Sequence, residues 1–371
     1  MEKIKSNNIP SLSVDKMVDL LSDAFLRLYK DDVKAVNKFP SVMLWGAPGV
    51  GKSQGVRQIA SNIEKETGIR VYVTDVRLLL FNPIDLRGIP VADMNKRLAV
   101  WLRPKIFHMQ SEDCFNILFL DEISAAPASV QAAAYQITLD RKVGEHKLPD
   151  NCIVIAAGNR VTDKSVAVKM PKALANRLLH IEIEGDFSSW HKWALTNNVN
   201  HKVIGYLSEN RNRLFGFDPS NDDLAFPTPR TWEMVSNILN SYDDDHIKSY
   251  PLIAGLVGNG PAVEFKSWCK VYANLPKIEN IFNGIETKVP SRTDELYALI
   301  NSMTSYASSC KYDQVKIGNS LNYAKGLPAD YVELLLQNYS LLDKDYSIFL
   351  KQIPEYIDYA RKRGSLINGN I

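Results

Sequence analysis

A glycine-rich segment at residues 46–53 constrains this chain more than any other feature. It reads GAPGVGKS and lies between the apolar run 42–45 and a segment with helical spacing of apolar residues. This pattern between a strand and a helix is typical of a phosphate-binding loop. Its glycines let backbone N–H groups surround a phosphate, and the helix N-terminus adds positive potential. A plain glycine-rich turn with a surface lysine is the alternative, but the flanking strand and helix patterns disfavour it.

The loop predicts a site for ATP and Mg²⁺. Lys52 is expected to reach the β- and γ-phosphates, and the Ser53 hydroxyl to bind the metal ion. The predicted nucleotide-binding residues are Gly46, Pro48, Gly49, Val50, Gly51, Lys52, Ser53 and Gln54.

Two carboxylates, Asp121 and Glu122, follow the apolar run 117–120. Taken alone, an acidic pair after a strand is usually a solvated turn or a helix cap. Beside a phosphate loop, however, the end of a parallel strand is where nucleotides bind. We therefore expect Asp121 to hold the Mg²⁺ ion with Ser53, and Glu122 to orient and polarise the attacking water.

The order of apolar runs predicts an α/β fold. Runs at 42–45, 71–73, 117–120, 153–157 and 178–183 read as buried strands, and helical patterns separate several of them, including one from about 53 to 63. Continuous apolar strands alternating with helices indicate a parallel sheet covered on both faces. From Phe187 onward only helical patterns remain. The sequence therefore predicts a parallel-sheet P-loop core followed by an all-helical region.

Length, charge and cysteine spacing argue against several classes of protein. The chain has 371 residues, which favours more than one domain, and its net charge is only +2. This balance argues against a dedicated nucleic-acid binder. The four cysteines are widely spaced, which excludes a disulfide framework or zinc-finger pattern. Neither a signal-peptide core at the start nor a membrane-length apolar run is seen, so we expect a cytoplasmic location and no membrane partner.

Several linked stretches resemble the MoxR family of AAA+ ATPases, in the group with an insert before helix 2. Residues 121–127 (DEISAAP) resemble its Walker B strand and following turn, and residues 83–88 (PIDLRG) resemble the start of its insert. Residues 141–149 look like its hairpin before sensor 1, and residues 170–178 look like its arginine-finger stretch. The resemblance covers roughly residues 35 to 270.

This resemblance implies roles for three further residues. Asn159 fits sensor 1, which contacts the γ-phosphate or the attacking water, although an Asn at a strand end is often only a turn former. Arg177 takes the place of the arginine finger, which enters a neighbouring subunit's ATP site; a helix-terminal arginine facing the dipole is the plainer alternative. Arg230 takes the place of sensor 2, and Thr228 and Pro229 before it suit a helix start; a surface arginine is the plainer alternative.

The sequence departs from the family pattern beside these residues. Asn176 and Leu178 stand where the family usually has Asp and Phe, and Gly158 stands where it usually has Gln. The insert and the hairpin also carry charges of both signs, where a DNA motor would more commonly show repeated lysines. These charged residues are Asp93, Lys96, Arg97, Glu145, His146 and Lys147.

The resemblance implies a domain plan and a function. The plan is an N-terminal helix at 1–35, an AAA+ core at 36–186 with the insert at about 83–102, a helical lid at 187–274 and a helical extension at 275–371. The implied function is ATP hydrolysis by a homo-oligomeric, hexameric ring that remodels or activates a protein client, with a von Willebrand factor A domain protein as the family's usual partner. An AAA+ nucleic-acid motor or restriction-type translocase is the alternative. A P-loop kinase or switch that forms no ring is disfavoured by Arg177, Arg230 and the helical second region.

Overall fold

The chain divides into two compact units. The computed structural model describes residues 9–31, 33–93, 98–160, 170, 172–272, 275–286, 288–342 and 345–368. The first unit comprises Met1–Asp186 with Asp218–Asp222, and the second comprises Phe187–Phe217 with Asp223–Ile371. Lys96, Arg97 and Pro171, which belong to the predicted insert and finger stretches, lie outside the described residues.

A parallel sheet forms the centre of the first unit. In chain order its described strands are β1 (Ser11–Leu12), β2 (Val42–Trp45), β3 (Arg70–Arg77), β4 (Ile89–Asp93), β5 (Leu98–Leu102), β6 (Cys114–Asp121), β7 (Lys142–Val143), β8 (His146–Lys147), β9 (Cys152–Gly158) and β10 (Leu179–Ile183). Six of them pair in the order β1-β10-β2-β9-β6-β3, and every neighbouring pair is parallel. Strands β6 and β9 are buried along nearly their whole length, because both faces of the sheet are covered.

Five described helices accompany this sheet: α1 (Val14–Asp31), α2 (Lys52–Thr67), α3 (Pro83–Arg87), α4 (Ala128–Asp140) and α5 (Lys172–Ala175). Helix α1 packs against α2, where a side chain at Gly55 would come within 2.5 Å of the Met17 methyl carbon. Helix α4 lies over a core that includes Leu118 and Leu120 of β6. The N-terminal helix is therefore part of the same compact unit as the sheet.

Two antiparallel hairpins project from this unit and contact each other. The β4–β5 hairpin lies within the predicted insert at about 83–102, and the β7–β8 hairpin lies within residues 141–149. The His146 ring Nε2 lies 2.7 Å from the Trp101 carbonyl oxygen. Gly144, with φ of 59°, approaches Arg87 so closely that a Cβ there would lie 2.5 Å from the Arg87 carbonyl oxygen. Glycine at this position thus permits the contact between the hairpin and the end of α3.

The second unit is helical, as predicted for the fold class. Its described α-helices are α6 (Phe187–Thr196), α7 (His201–Glu209), α8 (Pro229–Ser241), α9 (Tyr250–Val257), α10 (Asn259–Tyr272), α11 (Ile278–Phe282), α12 (Thr293–Cys310), α13 (Gln314–Ala324), α14 (Ala329–Ser340), α15 (Tyr346–Leu350) and α16 (Pro354–Asn368). Apolar side chains form one cluster around α6–α10 and another around α11–α15. Helix α12 joins them, since Ala298 belongs to the first cluster and Leu299 to the second.

The predicted cap of α8 is confirmed. The Thr228 hydroxyl accepts a hydrogen bond from the Thr231 N–H, the Thr231 hydroxyl accepts one from the Thr228 N–H, and Pro229 is the first helical residue. Among the helices of the described residues, none combines the length and the apolar character needed to cross a bilayer.

Candidate functional site

The sheet brings the predicted phosphate loop, acidic pair and strand-end asparagine to one edge. Strand β9 lies between β2 and β6, and all three run in the same direction. Residues 46–51 follow β2, Glu122 follows β6 and Asn159 follows β9. Because parallel strands end at a common edge, these segments are spatial neighbours although they are far apart in sequence.

Glycines shape the loop that leads from β2 into α2. Gly49 and Gly51 have φ values of 76° and 108°, a region that side chains disfavour. Gly46 is tightly enclosed, since a Cβ there would lie 2.8 Å from the Ile183 carbonyl oxygen. The Gly46 N–H donates to the Gly158 carbonyl oxygen of the neighbouring strand end at 3.3 Å. The loop conformation and its attachment to β9 therefore both depend on small residues.

Lys52 links this loop to the end of β9. Its ammonium donates to the carbonyl oxygens of Gly46 and Ala47, at 2.6 and 3.1 Å, and to the Asn159 Oδ1 atom at 3.1 Å. The residue is buried, with 8% of its surface exposed. A buried ammonium needs oxygen ligands around it. The same geometry holds the charge at the mouth of the loop, where an anionic phosphate would exchange with these oxygens.

Ser53 and Asp121 form the second contact across the edge. The Ser53 hydroxyl donates to the Asp121 Oδ2 atom at 2.9 Å, and the other carboxylate oxygen accepts the Glu122 N–H at 2.9 Å. Hydroxyl and carboxylate oxygens suit Mg²⁺, which is commonly held by one or two protein oxygens together with waters and substrate phosphates. Among the described residues, no group of three or more His, Cys, Asp or Glu side chains is placed to hold a metal by itself. These residues fit an ion that arrives with a nucleotide.

Glu122 follows the strand in an unusual backbone conformation. Its φ is 59°, in the left-handed region, and the next residue, Ile123, donates its N–H to the Ala157 carbonyl oxygen at 3.0 Å. A non-glycine residue in this region is uncommon and is found where surrounding contacts fix it, often at functional sites. The Glu122 side chain is partly exposed at the sheet edge.

Asn159 is fixed by a side chain from the turn after β6. Its N–H donates to the Ser124 hydroxyl at 2.9 Å. The preceding residue is Gly158, where a Cβ would lie 2.9 Å from that hydroxyl oxygen and 2.9 Å from the Met43 methyl carbon. A side chain at position 158 would therefore collide with Ser124 and Met43, so this strand end requires glycine.

Arg177 and Arg230 are placed differently from the other predicted residues. Arg177 is exposed, in the turn between α5 and β10 of the first unit. Arg230 is the second residue of α8 in the second unit and is also exposed. The structure thus groups Lys52, Ser53, Asp121, Glu122 and Asn159 at one edge, and it leaves the two arginines on surfaces.

Near this edge, the pKa of the Asp75 carboxyl group in β3 is raised. Burial raises the pKa of its carboxyl group, and the charge of Asp121 on the neighbouring strand raises it further. Arg57, whose guanidinium lies 3.7 Å away, and Arg77 act in the opposite direction. The Asp75 carboxylate is therefore close enough to Asp121 to feel its charge, and pattern analysis missed it because it lies beyond the apolar run 71–73.

Sequence reasoning also missed two polar contacts beside the loop. Arg160 forms an ion pair with the Glu182 carboxylate, which is 4% exposed. Trp45, directly before the loop, donates its indole N–H to the His180 Nδ1 atom at 2.9 Å. Trp45 and His180 are 135 positions apart, and nothing in their local sequence signals the pairing. Only the parallel pairing of β2 with β10 brings them together.

One protein-family model matches part of the first unit by sequence. The sequence model of the ATPase family associated with various cellular activities (AAA) matches residues 41–180. A search of curated proteins by sequence finds no match.

Solved structures show low overall similarity. A RuvB variant from Thermotoga maritima has 15% identity and a TM-score of 0.39, over 78% of this chain and 84% of that one. PCH-2 of C. elegans has 14% identity and a TM-score of 0.36, over 69% of each chain. The ORC2 protein of Aeropyrum pernix has 12% identity and a TM-score of 0.35, over 95% of this chain and 88% of that one. These values are too low to bear on function. The segment 41–180, which this family model matches, holds the loop and both strand ends described above.

Proposed function

We propose that this protein hydrolyses ATP with Mg²⁺ as a ring-forming AAA+ ATPase of MoxR type, and that it uses the energy to remodel or activate a protein client. The observation that carries the proposal is the convergence of Lys52, Ser53, Asp121 and Asn159 through hydrogen bonds at a single sheet edge. Each of these side chains has the chemistry that phosphoryl transfer requires, namely a cation, metal ligands and a polar group that detects the γ-phosphate.

In this proposal the chain's residues bind and orient the reactants. The backbone of residues 46–51 binds the β-phosphate, and the Lys52 ammonium leaves the loop carbonyls to bind phosphate oxygens. Asn159, now bonded to Lys52, then faces the γ-phosphate. Glu122 accepts a hydrogen bond from the attacking water and orients it. Ser53 and Asp121 would hold Mg²⁺, which, when bound, neutralises charge that develops on the phosphate oxygens.

The ring follows from the position proposed for Arg177. It is exposed in the turn after α5. An arginine finger stabilises charge on the transferring group and accelerates hydrolysis by about 10³–10⁵-fold. If it serves a neighbouring subunit, each site is incomplete in a monomer, and a heterologous interface of this kind gives a ring when its rotation closes. We propose a hexamer, with Arg230 of the helical unit as sensor 2.

A protein client is favoured by the surface of the β4–β5 hairpin. Ile89, Leu98 and Leu102 are 60%, 52% and 57% exposed, and the pairing of Ile89 with Leu102 places these two on the same face. Exposed apolar patches commonly mark protein-binding surfaces. A von Willebrand factor A domain protein is the client class that the family resemblance suggests.

A mixing experiment tests the shared ATP site. Lys52→Ala subunits keep an intact finger, and Arg177→Ala subunits keep an intact phosphate loop. We expect each variant alone to be nearly inactive and a mixture to recover phosphate release, because some interfaces then combine both intact parts. Affinity purification of one variant through a tag, with detection of the other variant in the eluate, verifies that joint rings have formed. Joint rings without recovered activity would contradict the shared site.

The alternative, a nucleic-acid motor with the same core, makes a different prediction. Its ATPase rate would rise strongly on addition of DNA or RNA, and the stimulation would fall steeply with salt because phosphate contacts release counterions. We expect little stimulation, since the net charge is only +2. Steady-state phosphate release with single- and double-stranded DNA and RNA at two salt concentrations distinguishes the two functions.

A further inference from the structure

We propose that His180 is a positioning residue, which holds the turn carrying Arg177 and ties that turn to the strand end before the phosphate loop. The inference rests on the proposed function, in which Arg177 completes the ATP site of a neighbouring subunit. It assigns a task to two aromatic side chains, Trp45 and His180, that take no direct part in the chemistry.

The residue to be positioned lies in a hydrogen-bonded turn. The Leu178 N–H donates to the Ala175 carbonyl oxygen at 3.2 Å, and Arg177 is the third of the four residues thus enclosed. Leu178 is buried, with 8% of its surface exposed, whereas Arg177 is exposed. The turn therefore presents the arginine outward while its next residue anchors it to the core.

His180 makes a second bond to the carbonyl that closes this turn. Its Nε2 atom lies 2.7 Å from the Ala175 oxygen. Its Nδ1 atom accepts the Trp45 indole N–H at 2.9 Å, and an indole nitrogen only donates. Nδ1 is therefore unprotonated, and in the neutral ring Nε2 carries the hydrogen and donates it to Ala175. The Ala175 oxygen thus has both of its acceptor positions filled, which fixes the turn at its closing point.

The other end of this chain of contacts is the phosphate loop. Trp45 is the last residue of β2 and directly precedes Gly46. The Gly46 carbonyl oxygen accepts a hydrogen bond from the Lys52 ammonium group. The planes of the Trp45 and His180 rings lie 18° apart, which suits a hydrogen bond between their edges. Two hydrogen bonds and the peptide bond between Trp45 and Gly46 thus connect the phosphate loop to the turn that carries Arg177.

The loss of the His180 ring could affect two different nucleotide sites. The loop belongs to the subunit's own nucleotide site, whereas Arg177 serves the neighbour's site. If His180 acts by positioning Arg177, the loss of His180 lowers the hydrolysis rate in the neighbouring subunit. Nucleotide binding in its own subunit then stays unchanged. A purely structural role in the sheet would disturb both.

The test uses two variants of the full-length protein and a matched control. His180→Phe keeps an aromatic ring and removes both hydrogen bonds. Trp45→Phe keeps an aromatic ring and removes the indole N–H. Trp190→Phe is the control, since it makes the same change at a buried indole whose N–H has no hydrogen-bond partner among the described residues. Each is assayed for phosphate release and for binding of a fluorescent ATP analogue.

We expect His180→Phe to slow hydrolysis by roughly tenfold to a hundredfold. A rate loss of this size is common when a group that acts in the reaction is displaced by about 1 Å. Trp45→Phe should cause a smaller loss, and Trp190→Phe none. The dissociation constant of the ATP analogue should stay within about twofold of the wild-type value in all three, since the loop keeps its own contacts. Trp45→Phe hydrolysing at the wild-type rate would overturn the proposed tie to the phosphate loop.

Mixing then decides where His180 acts. His180→Phe subunits have an intact loop, and Lys52→Ala subunits supply an intact finger with its His180. Recovery of phosphate release in the mixture is the expected result. No recovery, in a preparation where Arg177→Ala and Lys52→Ala subunits do recover, would overturn the positioning role and leave the shared site standing. No recovery in that reference mixture either would instead refute the proposed function.

Discussion

Glu122 shows how one residue's backbone defines the end of a strand and the start of a site. Its left-handed conformation ends β6 directly after Asp121, and the Asp121 carboxylate accepts its N–H. In a continued strand, two successive carboxylates would point to opposite faces. The turn at Glu122 instead allows both acidic residues to lie at the carboxyl edge, beside Ser53 and Lys52.

Glu122→Gln should bind ATP and assemble but hardly turn it over. The amide keeps the size and polarity of the side chain and loses the charge that polarises water, and a general base commonly contributes about 10²–10⁴-fold. Phosphate release measures turnover, and a fluorescent ATP analogue measures binding. Glu112→Gln, at an exposed glutamate before the opposite end of β6, is the control. Normal turnover by Glu122→Gln would remove Glu122 from this role.

Gly158→Ala should impair hydrolysis without touching a reacting group. Its Cβ would lie 2.9 Å from the Ser124 hydroxyl oxygen, so Ser124 must move away from the Asn159 N–H that it binds. We expect about tenfold slower hydrolysis and a loss of about 1–3 kcal/mol in stability, as for other overpacked sites. Gly255→Ala is the matched control, since a Cβ there meets nothing within 4 Å. Wild-type hydrolysis by Gly158→Ala would show that the Ser124 contact does not matter.

At the scale of elements, sequence patterns predict the type of structure better than its ends. Helix α2 was predicted to end near residue 63 but continues to Thr67, where Gly68 caps it in a left-handed conformation. Strand β3 was predicted at 71–73 and extends to Arg77, because backbone pairing with β6 continues past the last apolar residue of the run. Strand β1 has only two residues, which is too short for a periodic sequence pattern, and it forms by pairing with β10.

The site divides in the same way. The placement of Lys52, Ser53 and Asp121 at one sheet edge was predictable because short motifs flanked by a strand and a helix contain them. The contacts of Trp45 with His180 and of Arg160 with Glu182 were not, because each joins residues from different strands. Their partners are set by the order of strands in the sheet, which local sequence patterns do not reveal.

The capping box of α8 carries a prediction about an element. Thr228→Ala removes the hydroxyl that accepts the Thr231 N–H, and we expect a loss of about 1 kcal/mol in the free energy of unfolding. Urea denaturation followed by tryptophan fluorescence measures it. Thr228→Ser keeps the cap and should lose much less. Equal losses in both variants would mean that packing of the threonine methyl group, which is buried with Thr228, matters more than the cap.

At the scale of the molecule, the second unit was predictable as helical but not as one body. The family resemblance implied a helical lid at 187–274 and a helical extension at 275–371. In the structure α12 packs against α7 of the first cluster and against α14 of the second. The residues after 274 therefore stabilise the same compact unit that carries Arg230.

This unit contains a buried acid that should make its stability depend on pH. The Trp268 indole N–H donates to one Glu209 carboxylate oxygen at 3.0 Å, while the other oxygen is buried without a partner among the described residues. Burial raises the pKa of Glu209 to about 7. The folded state therefore binds this proton more tightly than the unfolded state, whose pKa is near 4.5.

The sign of the effect follows from that difference. The contribution of Glu209 is most favourable below pH 4.5 and is lost as the pH rises through about 7. His191 acts in the opposite direction, because burial lowers its pKa to about 4, so stability is lost as the pH falls from 6.5 toward 4. Comparing a Glu209 variant with the wild type at each pH cancels the His191 contribution, which both share.

Glu209→Gln should leave stability little changed near pH 5 and raise it by about 1 kcal/mol at pH 8, a figure reduced for the partial exposure of the side chain. Four of the six tryptophans lie in the second unit, so fluorescence during urea denaturation follows its unfolding. Glu233→Gln, at an exposed position on α8, should show no pH-dependent difference. A Glu209→Gln curve parallel to the wild type from pH 5 to 8 would mean that the folded protein accommodates the charged carboxylate. In that case, water or a shift of Trp268 must supply the partner that the second oxygen lacks.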